Sequence, residues 1–518
     1  MLPYLKKLGF NTLHLLPITP IGQDGRKGDL GSPYAIKNHY EIDPNIIDPF
    51  VPFSGEQQLA ALIEACHGLE IRVVLEFILR TSAKDADWVK VHPKWYYWIK
   101  EEVKNFEAPT FPKDDLIKIK KIPLGKGKYI PPPENYQKIF TSPPKTNSIK
   151  GDEYYTGTSN ETKVKIPSAF ADWPPDDPQP PWTDVTYLKF YNNPPDKNFN
   201  YIAYNTIRFY DPDLDKRENI NSELWDKLTD LIPFYQKKYG IDGVMIDMGH
   251  ALPEAFKNEM IKKARNINPQ FAFWDEKFEE DQHSIKEYNA IIGNTWHLAF
   301  QRNGLLTILE NSEKGHHLNY FACGETHNSP RFGHNNPQRK KQLWLLLNLL
   351  PKGMPFLHQG FELNEWIPVN TGLNIRKRLS SKLKNEKLPL FKKTLLNWTS
   401  QKNIIPFIEK LNHFRRENSG LFDEKAITQI HQLENKKIVW IKKKRKHKEF
   451  IFLFNLHHKN SVSVHLDEIG LTHYQPINIF NSDKHSETST EIIKLSRSGF
   501  FILKSPYPIK KNPTLTKN

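Results

Sequence analysis

The sequence predicts an α/β protein built on a parallel sheet and followed by an antiparallel β unit, on three observations. Residues 1–100 alternate helical and buried-strand patterns, the same alternation returns after about residue 200, and beyond about 420 it gives way to short strands separated by turns. In chain order, Leu5–Gly9 reads as the end of a helix stopped by glycine. Thr12–Leu16 reads as a buried strand, Phe53–His67 as an amphipathic helix and Ile71–Leu75 as a second buried strand. Helix-like Ser222–Tyr239 leads into the run Gly243–Ile246, and helix-like Pro253–Ile267 into Phe271–Trp274. Strand-like Leu318–Cys323, helix-like Arg339–Leu350, the short run Met354–His358 and helix-like Asn403–Asn418 complete this part.

Between 101 and 200 the rhythm stops. Proline clusters such as Pro131-Pro132-Pro133 and Pro174-Pro175 mix with Lys, Asn and Asp, while Tyr136, Tyr154, Tyr155, Trp173, Trp182, Tyr187 and Tyr191 supply apolar rings. So long a segment inside a compact fold reads as an inserted subdomain. The expected division is 1–100 and 201–418 for the α/β unit, 101–200 for the insert, 419–508 for a β-sandwich and 509–518 for a frayed tail.

Composition narrows the function classes. An apolar fraction of 38% with 25% charged residues suits a globular chain with a large core. Runs such as Leu343–Leu347 are far too short to cross a bilayer, so no membrane partner is expected. Two cysteines, Cys66 and Cys323, exclude a disulfide framework and a cysteine zinc site. The opening MLPYLKKLGF lacks the pattern of an export signal, which points to a cytoplasmic protein. The net charge of +14 is spread along the chain. Its densest cluster, Lys442–Lys448, lies between two strand-like runs and reads as a solvated hairpin tip rather than a nucleic-acid patch.

Two acids stand out. Asp247 closes the apolar run Gly243–Ile246, and Glu276 follows Phe271–Trp274. A carboxylate at the C-terminal end of a buried strand is costly to desolvate. A pair of them on neighbouring strands is what glycosidic bond cleavage uses, one attacking the anomeric carbon and one protonating the leaving oxygen. The competing reading is that each acid caps the helix that follows. Tyr34, in Gly31-Ser32-Pro33-Tyr34, is a loop aromatic beyond the first strand and a candidate platform for a sugar face.

Taken in order, these segments, with Glu325-Thr326-His327-Asn328-Ser329-Pro330-Arg331, Gly360-Phe361-Glu362-Leu363 and Pro368–Leu373, resemble glycoside hydrolase family 13, the α-amylase family. The resemblance runs from about residue 1 to 415. Ala86–Trp95 and Glu134–Phe140 look like the corresponding parts of bacterial α-1,4-glucan maltosyltransferases. It implies a (β/α)8 TIM-type barrel with a subdomain inserted after the third strand and a C-terminal antiparallel β-sandwich. It further implies a retaining glycoside hydrolase or transglycosylase acting on an α-glucan or malto-oligosaccharide, with Asp247 as nucleophile and Glu276 as acid/base. His327 would bond sugar hydroxyls and Tyr34 would stack beneath them. Glu276 would need a pKa raised by burial and by Asp247. No cofactor is implied. No metal is expected either, because the slot of an asparagine that often helps to bind calcium holds Arg80.

The chain departs from the family where it matters. The arginine expected two residues before the nucleophile is Met245, the Asp expected after His327 is the neutral amide Asn328, and the third-strand Asp is Glu76. Arg80 is the candidate replacement cation beside Asp247, and Glu325 a candidate replacement for the lost negative charge. The chain also opens on a helix resembling the one before the second barrel strand, so the first strand is missing or atypical. Two further readings follow: an α-glucan-binding pseudoenzyme with the same cleft, and a basic nucleic-acid binder resting on charge alone. Oligomeric state is not legible.

Overall fold

The structure, a computed structural model of the chain, describes residues 1–104, 106–107, 113–114, 117, 138–169, 182–192, 217–301, 303–333, 336–367, 391, 393, 395–433, 437–477 and 491–506. The segments Pro368–Leu373 and 509–518, and Glu134–Phe140 as far as Gln137, lie outside the described residues.

In chain order the strands are β1 (Thr12–Leu15), β2 (Arg72–Phe77), β3 (Thr81–Ala83), β4 (Trp98–Lys100), β5 (Phe140–Thr141), β6 (Thr156–Ser159), β7 (Thr162–Lys165), β8 (Val185–Tyr187), β9 (Gly243–Ile246), β10 (Ala272–Asp275), β11 (Ala290–Ile291), β12 (Asn319–Ala322), β13 (Gly353–Pro355), β14 (Ile427–Leu433), β15 (Ile438–Arg445), β16 (Lys448–Asn455), β17 (Val462–His465), β18 (Gln475–Pro476), β19 (Ile492–Leu495) and β20 (Phe500–Lys504). Seven of them, in the order β1-β2-β9-β10-β11-β12-β13, form one sheet whose neighbours are all parallel. Helices follow most strands, as parallel crossovers require. The curled sheet fits a (β/α)8 barrel.

Among the described residues β1 and β13 are the sheet's edges. Their ends approach each other: the His14 ring lies 5.7 Å from Phe356, which stacks on Phe321 at 4.6 Å, and Trp274 meets Phe321 edge-on at 5.1 Å. Outside, the helix Leu2–Leu8 packs on the helix Ile405–Glu417, with Asn412 Nδ2 donating to the Leu8 carbonyl at 2.7 Å.

Alternation along each strand sorts the side chains. Leu75, Val244, Ile246 and Phe273 point outward to the helices. Val74, Met245, Trp274, Ala290, Phe321 and Cys323 point inward and plug the barrel. The register sets Glu76 opposite Met245, and Met245 opposite Trp274, so Glu76 lies in this plug layer. Two residues further along the same face come Asp247 and Glu276, above the plug at the C-terminal ends of β9 and β10.

Between β2 and β9 lies a small antiparallel sheet, β5-β4-β7-β6, with β3 and β8 paired separately. After the barrel, β14-β15-β16-β20-β18 form an antiparallel sheet and β17 pairs with β19. Phe450, Phe452 and Phe500 of the larger sheet share one core with Phe407 and Phe414 of the helix Ile405–Glu417.

Local structure differs from the sequence reading in two places. Ser222–Tyr239 is two helices, Ser222–Thr229 and Leu231–Tyr239. Pro233 explains the break, since it has no N–H to give to the Thr229 carbonyl and its ring crowds that turn. The basic run Lys442–Lys448 does span a hairpin, but its tip is shorter than expected: Lys442–Arg445 lie within β15, and the exposed turn is Lys446 and His447. Strand alternation turns Lys443 inward, where it is 3% exposed. No helix among the described residues is long and apolar enough to cross a membrane.

Candidate active site

Asp247 and Glu276 sit one residue beyond their strands, still held by the ladder. Asp247 N–H donates to the Phe77 carbonyl at 3.0 Å, and Glu276 N–H to the Ile246 carbonyl at 3.1 Å. Both side chains are half-buried. The two carboxylates, with Glu76, act on the same phenol: the Tyr34 hydroxyl is pushed well above its ordinary value by burial first, then by Glu76, Asp247 and Glu276. Tyr34 Oη also lies 2.5 Å from His327 Nε2, with the two rings nearly parallel and 6.0 Å apart. Four of the residues singled out in the sequence, Tyr34, Asp247, Glu276 and His327, are therefore gathered at one end of the barrel. Asn328 adjoins His327 and is likewise half-buried, its N–H bonded to Thr326 Oγ1 at 3.1 Å.

The loop after β9 is built around Glu276. Met248 N–H donates to Glu276 Oε2 at 2.7 Å, and His250 Nδ1 lies 2.6 Å from the Glu276 carbonyl oxygen. Met248 adopts a left-handed conformation, φ 50°, which is uncommon for a side-chain-bearing residue and concentrates at functional turns. Gly249 follows because a Cβ there would fall 1.7 Å from Asp275 Oδ1. Asp275 is wholly buried on the outer face of β10, and burial, only partly offset by Lys257, raises its pKa.

Met245, Arg80 and Glu325 have well-defined surroundings. Met245 is a plug residue, 4% exposed, and brings no cation. Arg80 is 2% exposed, with its guanidinium 4.9 Å from the centre of the Tyr187 ring and its carbonyl accepting from Leu188 N–H. Glu325 lies in the loop after β12, so strand alternation does not govern its direction. Its oxygens accept from Arg331 Nη1 at 2.7 Å and Phe332 N–H at 2.6 Å. Burial alone would raise this carboxyl, but Lys340, His358 and Arg331 outweigh it and pull it down to about 2. That negative charge is paired with the buried cations Arg331 and Lys340.

Sequence reasoning passed over Glu76 as a site residue. Its charge acts on the Tyr34 hydroxyl, and Oε2 lies 3.6 Å from His14 Nε2. Burial first, then the Glu276 charge, raise its pKa well above the usual carboxylate range. The available signal was a carboxylate two places beyond Val74 on the inward face of a buried strand. Asp275, Met248 and Gly249 carried no comparable signal.

Comparison with known proteins agrees with this architecture. Residues 1–166 match the family described as "Alpha amylase, catalytic domain". An alpha-1,4-glucan:maltose-1-phosphate maltosyltransferase from Cereibacter sphaeroides is 33% identical over 133 residues, covering 23% of this chain and 21% of that protein. The namesake from Mycolicibacterium smegmatis is 38% identical over 111 residues, 18% of this chain and 14% of that protein. The matched part thus spans about a fifth of the length of these curated relatives or less. Among solved structures, the maltogenic α-amylase AmyB from Thermotoga neapolitana shares the fold, with a TM-score of 0.60, 18% identity and coverage of 97% of this chain and 92% of that one. The α-amylase from Geobacillus thermoleovorans complexed with acarbose gives a TM-score of 0.57 at 15% identity, covering 97% and 90%.

Proposed function

We propose that this protein acts on α-1,4-linked glucans or malto-oligosaccharides as a retaining hydrolase or transglycosylase. The observation that supports this most is the placing of two half-buried carboxylates at the ends of neighbouring barrel strands, both acting on one tyrosine hydroxyl. In this reading Asp247 attacks the anomeric carbon as Glu276 protonates the departing oxygen, breaking the glycosidic bond and leaving a glycosyl ester on Asp247. Glu276, now ionised, takes a proton from water or a sugar hydroxyl, which displaces the ester. Retention requires the two carboxyl groups about 5–5.5 Å apart. Met248 N–H occupies Glu276 Oε2, so Oε1 is the oxygen assigned to the proton. Tyr34 supplies an apolar face to the sugar and His327 a hydrogen bond. Arg80 is assigned the cation that Met245 cannot provide.

The substrate class follows from the family match at residues 1–166 and from the names of the maltosyltransferase relatives. The test is incubation of the purified chain with maltoheptaose, alone and with maltose 1-phosphate, followed by chromatography of chain lengths. New lengths that vanish in Asp247→Ala support the proposal; products of maltose 1-phosphate alone assign the donor. The competing reading, a glucan-binding pseudoenzyme, draws on Met245 and Asn328. Loss of one electrostatic stabiliser costs about 10²–10³ in rate, and here two are changed. Maltoheptaose binding without new lengths would favour it.

A further inference from the structure

One guanidinium joins the loops after β12 and β13. Arg331 Nη1 donates to Glu325 Oε1 at 2.7 Å, to His358 Nδ1 at 2.8 Å and to the Gln359 carbonyl at 2.8 Å, its hydrogens shared among these acceptors. Arg331 Nε donates to the Ile367 carbonyl at 3.2 Å. The side chains of Arg331, Glu325 and Lys340 are sealed from solvent, whereas that of His358 is 15% exposed. His358 is the member of this cluster that reaches solvent.

Its place on the barrel says which solvent that is. β12 and β13 are neighbours, with Ala322 opposite Pro355, and Phe356 N–H still bonds the Ala322 carbonyl at 3.1 Å. Phe356 packs on the plug, stacked on Phe321 at 4.6 Å. His358 lies two residues further on, the same step that separates Asp247 from Met245 and Glu276 from Trp274. The chain turns only after it, the His358 carbonyl accepting from Phe361 N–H at 3.0 Å. His358 therefore stands above the plug at the barrel mouth, next round the rim from the strand end that leads to His327.

A guanidinium has hydrogens to give and no lone pair to offer, so the His358 Nδ1 facing it accepts and carries no proton. The ring's own proton is on Nε2, and a second proton on Nδ1 would meet the Arg331 hydrogen head-on. The imidazole is thus held neutral in one tautomer. Among the described residues Nε2 has no hydrogen-bond partner. We propose that His358 is a sugar-binding residue, fixed by Arg331 in the tautomer that presents Nε2–H to a glucan hydroxyl. A sugar hydroxyl can give or take a hydrogen bond, whereas this nitrogen only gives, so it selects the orientation in which the sugar oxygen accepts. The assignment rests on the function proposed above.

The experiment is ring ¹⁵N NMR of the full Asp247→Ala chain labelled at histidine, with and without saturating maltoheptaose. His358 is assigned by its loss in His358→Phe. The expected spectrum shows the proton on Nε2 and none on Nδ1, and maltoheptaose shifts the Nε2 resonance. Calorimetric titration in the same background should show maltoheptaose affinity falling about 3- to 10-fold in His358→Phe, the weight of one hydrogen bond. His358→Gln, whose amide keeps a donor near the Nε2 position, should recover part of that loss. A proton on Nδ1, an Nε2 resonance that bound maltoheptaose leaves in place, or full affinity in His358→Phe would overturn the proposal. Where His358→Phe does not fold, His358→Gln gives the assignment and the two spectral readouts decide. A chain that binds no maltoheptaose sinks the glucan reading and this assignment together; binding without a response at His358 sinks this assignment alone.

Discussion

Glu76 lies directly across the ladder from Met245, an apolar neighbour. Burial and the nearby Glu276 charge raise its pKa, and its Oε2 lies 3.6 Å from His14 Nε2. The pH dependence follows from the sign. The folded pKa is raised above the unfolded one, so between the two the unfolded chain binds fewer protons. Stability from this group is therefore full below the unfolded value near 4.3 and declines as pH rises through the folded value. Urea midpoints from pH 4 to 9 should show this decline in the unaltered protein and a flatter profile in Glu76→Gln. Parallel curves would contradict it. Glu325 illustrates the opposite solution, a buried carboxylate held ionised by Arg331 and Lys340. Both acids stand in the sequence as bare letters; their surroundings come from other strands and loops, which is why one was passed over and the other was no more than a candidate.

At the scale of elements, the strands before Asp247 and Glu276 were legible because short apolar runs ending in an acid have few alternatives in a parallel sheet. The loop after β9 was not, because its shape depends on Asp275 of the next strand. Gly249→Ala would drive a methyl group into that carboxyl, and a destabilisation of about 1–3 kcal/mol is expected. Because Met248 N–H holds Glu276, the same variant should lose turnover while still folded. Thermal unfolding and maltoheptaose assays on one preparation check both. The basic run in β15 shows a second limit: composition suggested a wet turn, but strand period placed Lys443 inside. There its Nζ bonds Thr428 Oγ1 at 2.9 Å, and burial, with Arg415 nearby, pulls it down to about 8. Lys443→Met should raise stability at pH 7 by about 1–2 kcal/mol, since a desolvated ammonium is replaced by apolar volume. A lower melting temperature would show that the Thr428 bond outweighs desolvation.

For the whole molecule, the α/β rhythm and the later change to short strands were enough to foresee a parallel sheet and the antiparallel unit that follows it, while its closing into a barrel was implied by the resemblance. How they join was not foreseeable, because the joining residues are apolar in any arrangement. Gln342 Nε2, on the barrel helix Pro337–Leu349, donates to the Asn455 and Gly499 carbonyls, and aromatic residues from both units share one core. We expect barrel and sheet to unfold together in one calorimetric transition. Two separated transitions would mean that the shared core does not couple them.

The account depends above all on Asp247 being the atom donor to an anomeric carbon across from Glu276. The direct measurement is covalent trapping: incubate the protein with a 5-fluoro-α-maltosyl fluoride and map the adduct by mass spectrometry. The account predicts one added glycosyl group on the peptide containing Asp247, and none in Asp247→Ala. No adduct on a chain that turns over glucan, or an adduct on another residue, would contradict it.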